Sequence, residues 1–168
     1  NRRKAAIFYH PTLSEGWDSL PDIPVPTLEF PFDTTRAVVN MLHEGVFQRH
    51  QDIRFIFVHA GGAIPFLAER INRLAVLPKF RENVPEGVRP VLKRLYFDVA
   101  LSANPLSMST ATQVVDTRNL FFGSDFPHAG EATMTATVEG LADLENIFGA
   151  QADALLTANA RDAFALGT

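Results

Sequence analysis

The chain has 168 residues, 46% of them hydrophobic and 20% charged, which suffices for one buried core. A net charge of −4 excludes the basic footprint of a nucleic-acid binder and the polybasic patch of a membrane-surface protein. With no cysteine there is neither a disulfide framework nor a thiolate metal site, and no apolar run reaches the ~18–20 residues of a membrane span.

In chain order, a first strand is expected over Ala5–His10 (AAIFYH), entered directly from a basic start without Met, as in a piece of a longer protein. A Pro-rich stretch follows from Thr12 to Asp33 and carries the only tryptophan, Trp17. A loop of this length is expected to cover a substrate. Asp33 or Thr34 should cap a helix through Gln48, with Val38, Val39, Leu42, Val46 and Phe47 at helical spacing. Ile53–His59 is a near-continuous apolar run, the pattern of a parallel strand covered on both faces. Gly61 and Gly62 lead into a helix with Pro65 in its first turn, ended by Pro78.

The segment PKFRENVPEGVRPVLKR, charged and broken by prolines, reads as exposed with at most a short helix. A third strand is expected over Leu95–Ser102, a short helix over Ser107–Val115 and a fourth strand over Leu120–Asp125. Helices near Thr137–Phe148 and Ala150–Phe164, punctuated by Gly149, close the chain. Strands alternating with long crossovers predict a parallel α/β architecture. Four such units make half of a (β/α)8 barrel, whose full form takes about 250 residues; the alternative is a small open four-stranded sheet with two unpaired edges.

Three of the four strand runs end in a residue that binds metal or carries protons: His10, His59 and Asp125. Because side chains alternate along a strand, Ala6, Phe8 and His10 share a face, as do Phe55, Phe57 and His59, Asp98, Ala100 and Ser102, and Phe121, Gly123 and Asp125. If those faces point into a barrel, His10, His59, Ser102 and Asp125 meet at its C-terminal mouth, where such barrels carry their active sites. Two histidines and an aspartate suit a zinc or manganese ion. Singly, each has a plainer reading, a satisfied histidine or a turn aspartate; the coincidence at equivalent strand ends favours a site. Gly61 and Gly62, at a helix N-terminus, could receive a substrate carboxylate or simply form a tight turn. His128 is placed at the pocket rim, Phe57, Phe121, Phe126 and Trp17 as apolar walls, and Asp98, deep in its strand, as a hydrogen-bonded structural residue.

The strings FVHAGGAIPFLAERI, LYFDVALSANP, LFFGSDFPHA and ANARDAFAL, with EFPFDTTRAVVNML, resemble the amidohydrolase superfamily. More narrowly, they resemble the branch holding aminocarboxymuconate semialdehyde decarboxylase and the aromatic-acid decarboxylases of the 6-methylsalicylate and γ-resorcylate type. The resemblance covers essentially the whole chain and corresponds to the C-terminal half of the barrel, strands five to eight. It implies that residues 1–168 form a single or partial domain whose N-terminal half, with the family's His-x-His metal pair, lies elsewhere. It implies His10 and Asp125 as metal ligands, His59 and Asp125 as acid/base groups, and a structural Asn159 and Ala160. Trp17, Gly61, Gly62, Phe126 and His128 are the expected substrate contacts. The implied cofactor is a divalent metal, zinc ahead of manganese. The implied activity is decarboxylation of a small aromatic or unsaturated carboxylic acid in a cytoplasmic homo-oligomer, a dimer first. Hydrolysis of a lactone or amide, or a truncated interaction module, are the alternatives.

Overall fold

Each hydrophobic run read as a strand pairs in parallel with the next. In the computed structural model, which describes residues 1–13, 20 and 22–164, β1 (Ala6–Tyr9), β2 (Arg54–Phe57), β3 (Tyr96–Asp98) and β4 (Leu120–Phe121) form one sheet in the order β1-β2-β3-β4. Tyr9 lies opposite Phe57, Phe57 opposite Phe97 and Asp98 opposite Phe121. The strands are shorter than the apolar runs, ending at Tyr9, Phe57, Asp98 and Phe121.

Among the described residues, ten α-helices lie among and after the strands: α1 (Glu29–His43), α2 (Val46–Arg49), α3 (Ile64–Asn72), α4 (Pro78–Asn83), α5 (Val88–Arg94), α6 (Pro105–Ala111), α7 (Glu131–Ala142), α8 (Glu145–Phe148), α9 (Ala152–Leu156) and α10 (Ala158–Phe164). None of the described helices is long and apolar enough to cross a membrane. Two expectations are corrected here. Helix α1 begins at Glu29 rather than near Asp33, because Pro31 falls in its first turn, where a missing N–H costs nothing. The segment from Pro78 to Arg94 is not an exposed stretch but two helices, and Phe80, Val84, Val88, Val91 and Leu92 belong to the core. Two of its three prolines mark helix starts: Pro78 opens α4 and Pro90 sits in the first turn of α5, while Pro85 lies in the turn between them.

Strand residues Phe55, Phe57, Phe97, Val99 and Leu120 pack with Val38, Leu42, Ile64, Ala68, Val88, Leu92, Met108 and Ala111 in one core. Paired residues on parallel strands point to the same side, so Phe8, Ile56, Asp98 and Phe121 share the opposite face. The two-residue alternation therefore put Phe55 and Phe57 on the wrong side: they face the helices, not the side of Phe8. On that other face, Phe121 stacks on Tyr96 at 5.4 Å, and Phe164 of α10 meets Phe121 at 5.7 Å. Asn159 holds α10 down by donating from Nδ2 to the carbonyls of Thr117 (2.9 Å) and Leu120 (2.8 Å).

Phe57 is fully buried at the centre of the core, between Phe47, Phe97 and Tyr9. Phe57→Ala is expected to lower unfolding stability by about 3–5 kcal/mol, the usual cost of a cavity this size. Denaturant melts showing a loss below about 1 kcal/mol would mean that the site collapses freely.

Candidate active site

The chain leaves each strand by a different device, and each device aims one polar side chain. After β1, His10 is followed by the buried Pro11, whose carbonyl lies 3.0 Å from His10 Nδ1. A carbonyl only accepts, so Nδ1 carries the proton and the Nε2 lone pair is free to face the site. Nε2 lies 3.5 Å from Asp125 Oδ1.

After β2, Val58 stays extended, and then His59 and Ala60 take left-handed φ values of 56° and 54°. This reversal, not strand alternation, re-aims His59. Its ring is 6% exposed, with Nε2 3.8 Å from Asp125 Oδ1, and neither Nδ1 nor Nε2 has a hydrogen-bond partner. Two unpaired nitrogens on a buried imidazole are costly unless a ligand satisfies them. After β4, Asp125 is also left-handed, at φ 60°, a conformation aspartate tolerates. Its carbonyl accepts from the N–H groups of His128 and Ala129, so it is a turn aspartate and a site residue at once.

Ligand atoms of His10, His59 and Asp125 lie within 4.8 Å of one another. Two imidazole nitrogens and a carboxyl oxygen at this spacing fit a divalent zinc or manganese ion. Burial lowers the proton affinity of His59 below that of an ordinary imidazole; Asp125 pulls against this and His10 adds to it. His59 is thereby held neutral at physiological pH, the form in which a nitrogen can take a proton or a metal.

Beside this cluster lies a cavity of about 490 Å³, lined by His59, Gly62, Ser102, Asp125, His128, Thr133 and the Pro26–Pro31 region. Of the residues expected there, Gly62, Ser102 and His128 line it, and the His128 ring lies 5.8 Å from that of His10. Gly61 and Phe126 do not line it, and Phe126 is 73% exposed. Phe57 and Phe121 are not walls either, being committed to the two faces of the sheet. Trp17 lies outside the described residues. The amides of Gly61, Gly62 and Ala63 are spent on Val58, His59 and Thr35 Oγ1, so they form a tight turn and offer no anion cradle. Gly62 is required because a Cβ there would come within 2.2 Å of the Pro31 carbonyl oxygen.

Phe30 and Pro31 belong to the stretch read as a substrate-covering loop, but they lie in the first turn of α1. Phe30 packs edge-on to His10 at 5.8 Å and lines the cavity with Pro31. Asp33, rather than capping the helix, accepts from Tyr9 Oη (3.3 Å) and from the Thr12 N–H (3.1 Å), tying α1 to the turn after His10. Burial, helped by Asp33, raises the proton affinity of the Tyr9 phenol. The available signal was Pro31, a first-turn proline that marked an earlier helix start.

Asp98 matches the structural reading. It is 4% exposed, and Oδ1 accepts from the N–H groups of His59 (2.9 Å) and Ala100 (3.1 Å). Burial pushes its carboxyl up to about 6, although these two donors pull it down. A raised acid holds its proton better when folded, so its stabilising contribution is full below the unfolded value of 3.8 and is lost as pH rises through about 6. His59, shifted down, has the opposite sign and costs stability as pH falls below its unfolded 6.5. Comparing the wild type with Asp98→Asn isolates the first effect. Relative to the variant, the wild type should be more stable at pH 4 than at pH 7 in thermal melts. A difference that stays flat across that range would contradict the assignment.

The amidohydrolase family model matches residues 7–166. The chain is 33% identical to a decarboxylase of Aspergillus niger, yanB, over 96% of this chain and 45% of the relative. It is 32% identical to a 6-methylsalicylic acid decarboxylase of Penicillium expansum, over 77% of this chain and 40% of the relative. A crystal structure described as an amidohydrolase II superposes with a TM-score of 0.83 at 28% identity, covering 98% of this chain and 53% of the other. The chain thus spans less than half the length of these curated relatives. A family match over nearly every residue and a fold that superposes throughout lead to one conclusion: this chain belongs to the amidohydrolase family.

Proposed function

We propose that the chain is the C-terminal half, strands five to eight, of a (β/α)8 barrel enzyme that decarboxylates a small aromatic or unsaturated carboxylic acid with the help of a divalent metal. The observation that carries this reading is the convergence of His10, His59 and Asp125 beyond the ends of β1, β2 and β4, with both nitrogens of the buried His59 unpaired. The free edge of β1 supports the half-barrel, since Ile7 is 40% and Phe8 59% exposed where a preceding strand would pair. The two decarboxylase relatives support the reaction.

His10 and Asp125 would hold the ion, zinc ahead of manganese, beside His59. When bound, the ion acts as a Lewis acid that orients the substrate's carboxylate and offsets its charge. The Asp125 carboxyl delivers a proton to the carbon bearing the carboxylate. The bond from that carbon to the carboxylate then breaks, its electrons return to the conjugated system, and CO₂ leaves. His59, neutral through burial, passes a solvent proton back to Asp125. Phe30 and Pro31 keep water from the apolar side of the cavity, which favours a step that loses charge. His128 and Ser102, which line the cavity, would bind substrate oxygens.

The test uses the intact protein that carries this chain, loaded in turn with zinc and manganese. Incubation with 6-methylsalicylate should release CO₂ and the decarboxylated phenol, and chelation should stop it. Stoichiometric metal with no CO₂ from any salicylate-type acid, alongside hydrolysis of a lactone or amide, would replace decarboxylase with hydrolase. Absence of bound metal would remove both.

A further inference from the structure

The turn that presents His59 is held in a conformation that its own residues do not favour. His59, Ala60, Gly61 and Gly62 have φ values of 56°, 54°, 77° and 63°, so four successive residues have positive φ and two of them carry a Cβ. A left-handed L-residue costs roughly 1–2 kcal/mol, and such strain persists only where surrounding contacts over-determine it. The first N–H of the reversal, that of His59, is bound by a side chain from another strand, Asp98 Oδ1 at 2.9 Å. The same oxygen takes the Ala100 N–H at 3.1 Å, so one atom ties the end of β2 to the end of β3.

The carboxyl is also confined from the β4 side. A Cβ at Gly123 would lie 2.8 Å from Asp98 Cγ and 3.0 Å from Oδ2, so only glycine allows the group its place. Gly123 stands two residues before Asp125. Asp98 therefore lies between the turn carrying the acid/base histidine and the strand end carrying the acid/base aspartate. It does not line the cavity itself.

We propose that Asp98 is the positioning residue of this site: by accepting the His59 N–H and seating against Gly123, it holds the left-handed turn and sets the approach of the His59 ring to Asp125. This rests on the acid/base role proposed for His59. The group required is the Oδ1 acceptor, which asparagine also provides and alanine does not.

The experiment compares the wild type with Asp98→Ala, Asp98→Asn and Gly123→Ala in the intact protein. It measures hydrogen exchange over Phe57–Gly62 by mass spectrometry, and kcat and KM for 6-methylsalicylate. Loss of the acceptor in Asp98→Ala should speed exchange of this turn by about 10-fold or more. It should lower kcat by about 10²-fold, with KM changed by less than about 3-fold, since a misplaced group rather than a lost contact is responsible. Asp98→Asn should restore both to within about 3-fold of wild type, as expected if acceptor geometry and not charge matters. Gly123→Ala, which displaces the carboxyl while keeping it, should follow Asp98→Ala in direction.

Unchanged exchange in Asp98→Ala would overturn the proposal, as would Asp98→Asn failing as badly as alanine. If Asp98→Ala does not fold, Gly123→Ala against Asp98→Asn makes the same decision. Should no variant, nor the wild type, decarboxylate the substrate, the exchange data still decide the role of Asp98, and the failure belongs to the proposed reaction.

Discussion

Asp125→Ala is expected to be the most damaging single change in the intact protein, removing bound metal and turnover together. Asp125 Oδ1 is the atom that both histidines approach, at 3.5 Å from His10 and 3.8 Å from His59. Its loss leaves two imidazoles without the anion that offsets a divalent charge, so metal content should fall well below stoichiometric. The same carboxyl is the proposed proton donor. Turnover should therefore drop by about 10³-fold or more, within the range that a positioned acid contributes. Metal content measured by elemental analysis beside CO₂ release checks both halves. A variant that keeps its metal and loses less than about 10-fold in kcat would take Asp125 out of both roles.

His59→Ala is expected to separate what Asp125→Ala joins. If His10 and Asp125 hold the ion and His59 handles the proton, the variant should retain most of its metal while kcat falls by about 10²-fold or more. Neither ring nitrogen of His59 has a hydrogen-bond partner, so its removal leaves no donor or acceptor stranded by a lost bond, and folding should be largely preserved. Complete metal loss in this variant would make His59 a ligand, and undisturbed turnover would remove it from the mechanism. The geometry admits either, because all three side chains offer atoms within 4.8 Å of one another.

The three side chains that the structure brings together were conspicuous in the sequence for a reason tied to parallel strands. A strand buried on both faces is written as an unbroken apolar run, so a polar residue at its C-terminal end is conspicuous. His10, His59 and Asp125 stood out in this way, and parallel pairing brings such ends to one edge of the sheet. The apolar walls did not read as well. A continuous run does not reveal which alternate set faces the helices, and the two-residue period placed Phe57 beside the substrate when it lies at the centre of the core. Pro78 does end the helical stretch before it, but it also opens α4; Pro90, read as a break, and Pro31, read as part of a loop, likewise occupy first turns.

What the sequence by itself determined is local: four parallel strands with helices between them, the polar residue closing each of three strand runs, and Gly149 as a helix stop, now seen at φ 54°. These follow from hydrophobic period and from residues whose backbone preferences act within a few positions. Tertiary structure alone decided how the site is built. His59 reaches Asp125 because the chain reverses into left-handed conformations, and that reversal is held by Asp98, 39 residues away. Asp33 and Phe30, some 20 residues beyond His10, secure the turn and wall that surround it. Such contacts join residues that no periodicity links, and their worth depends on burial, which exists only once the sheet and its helices have closed over them.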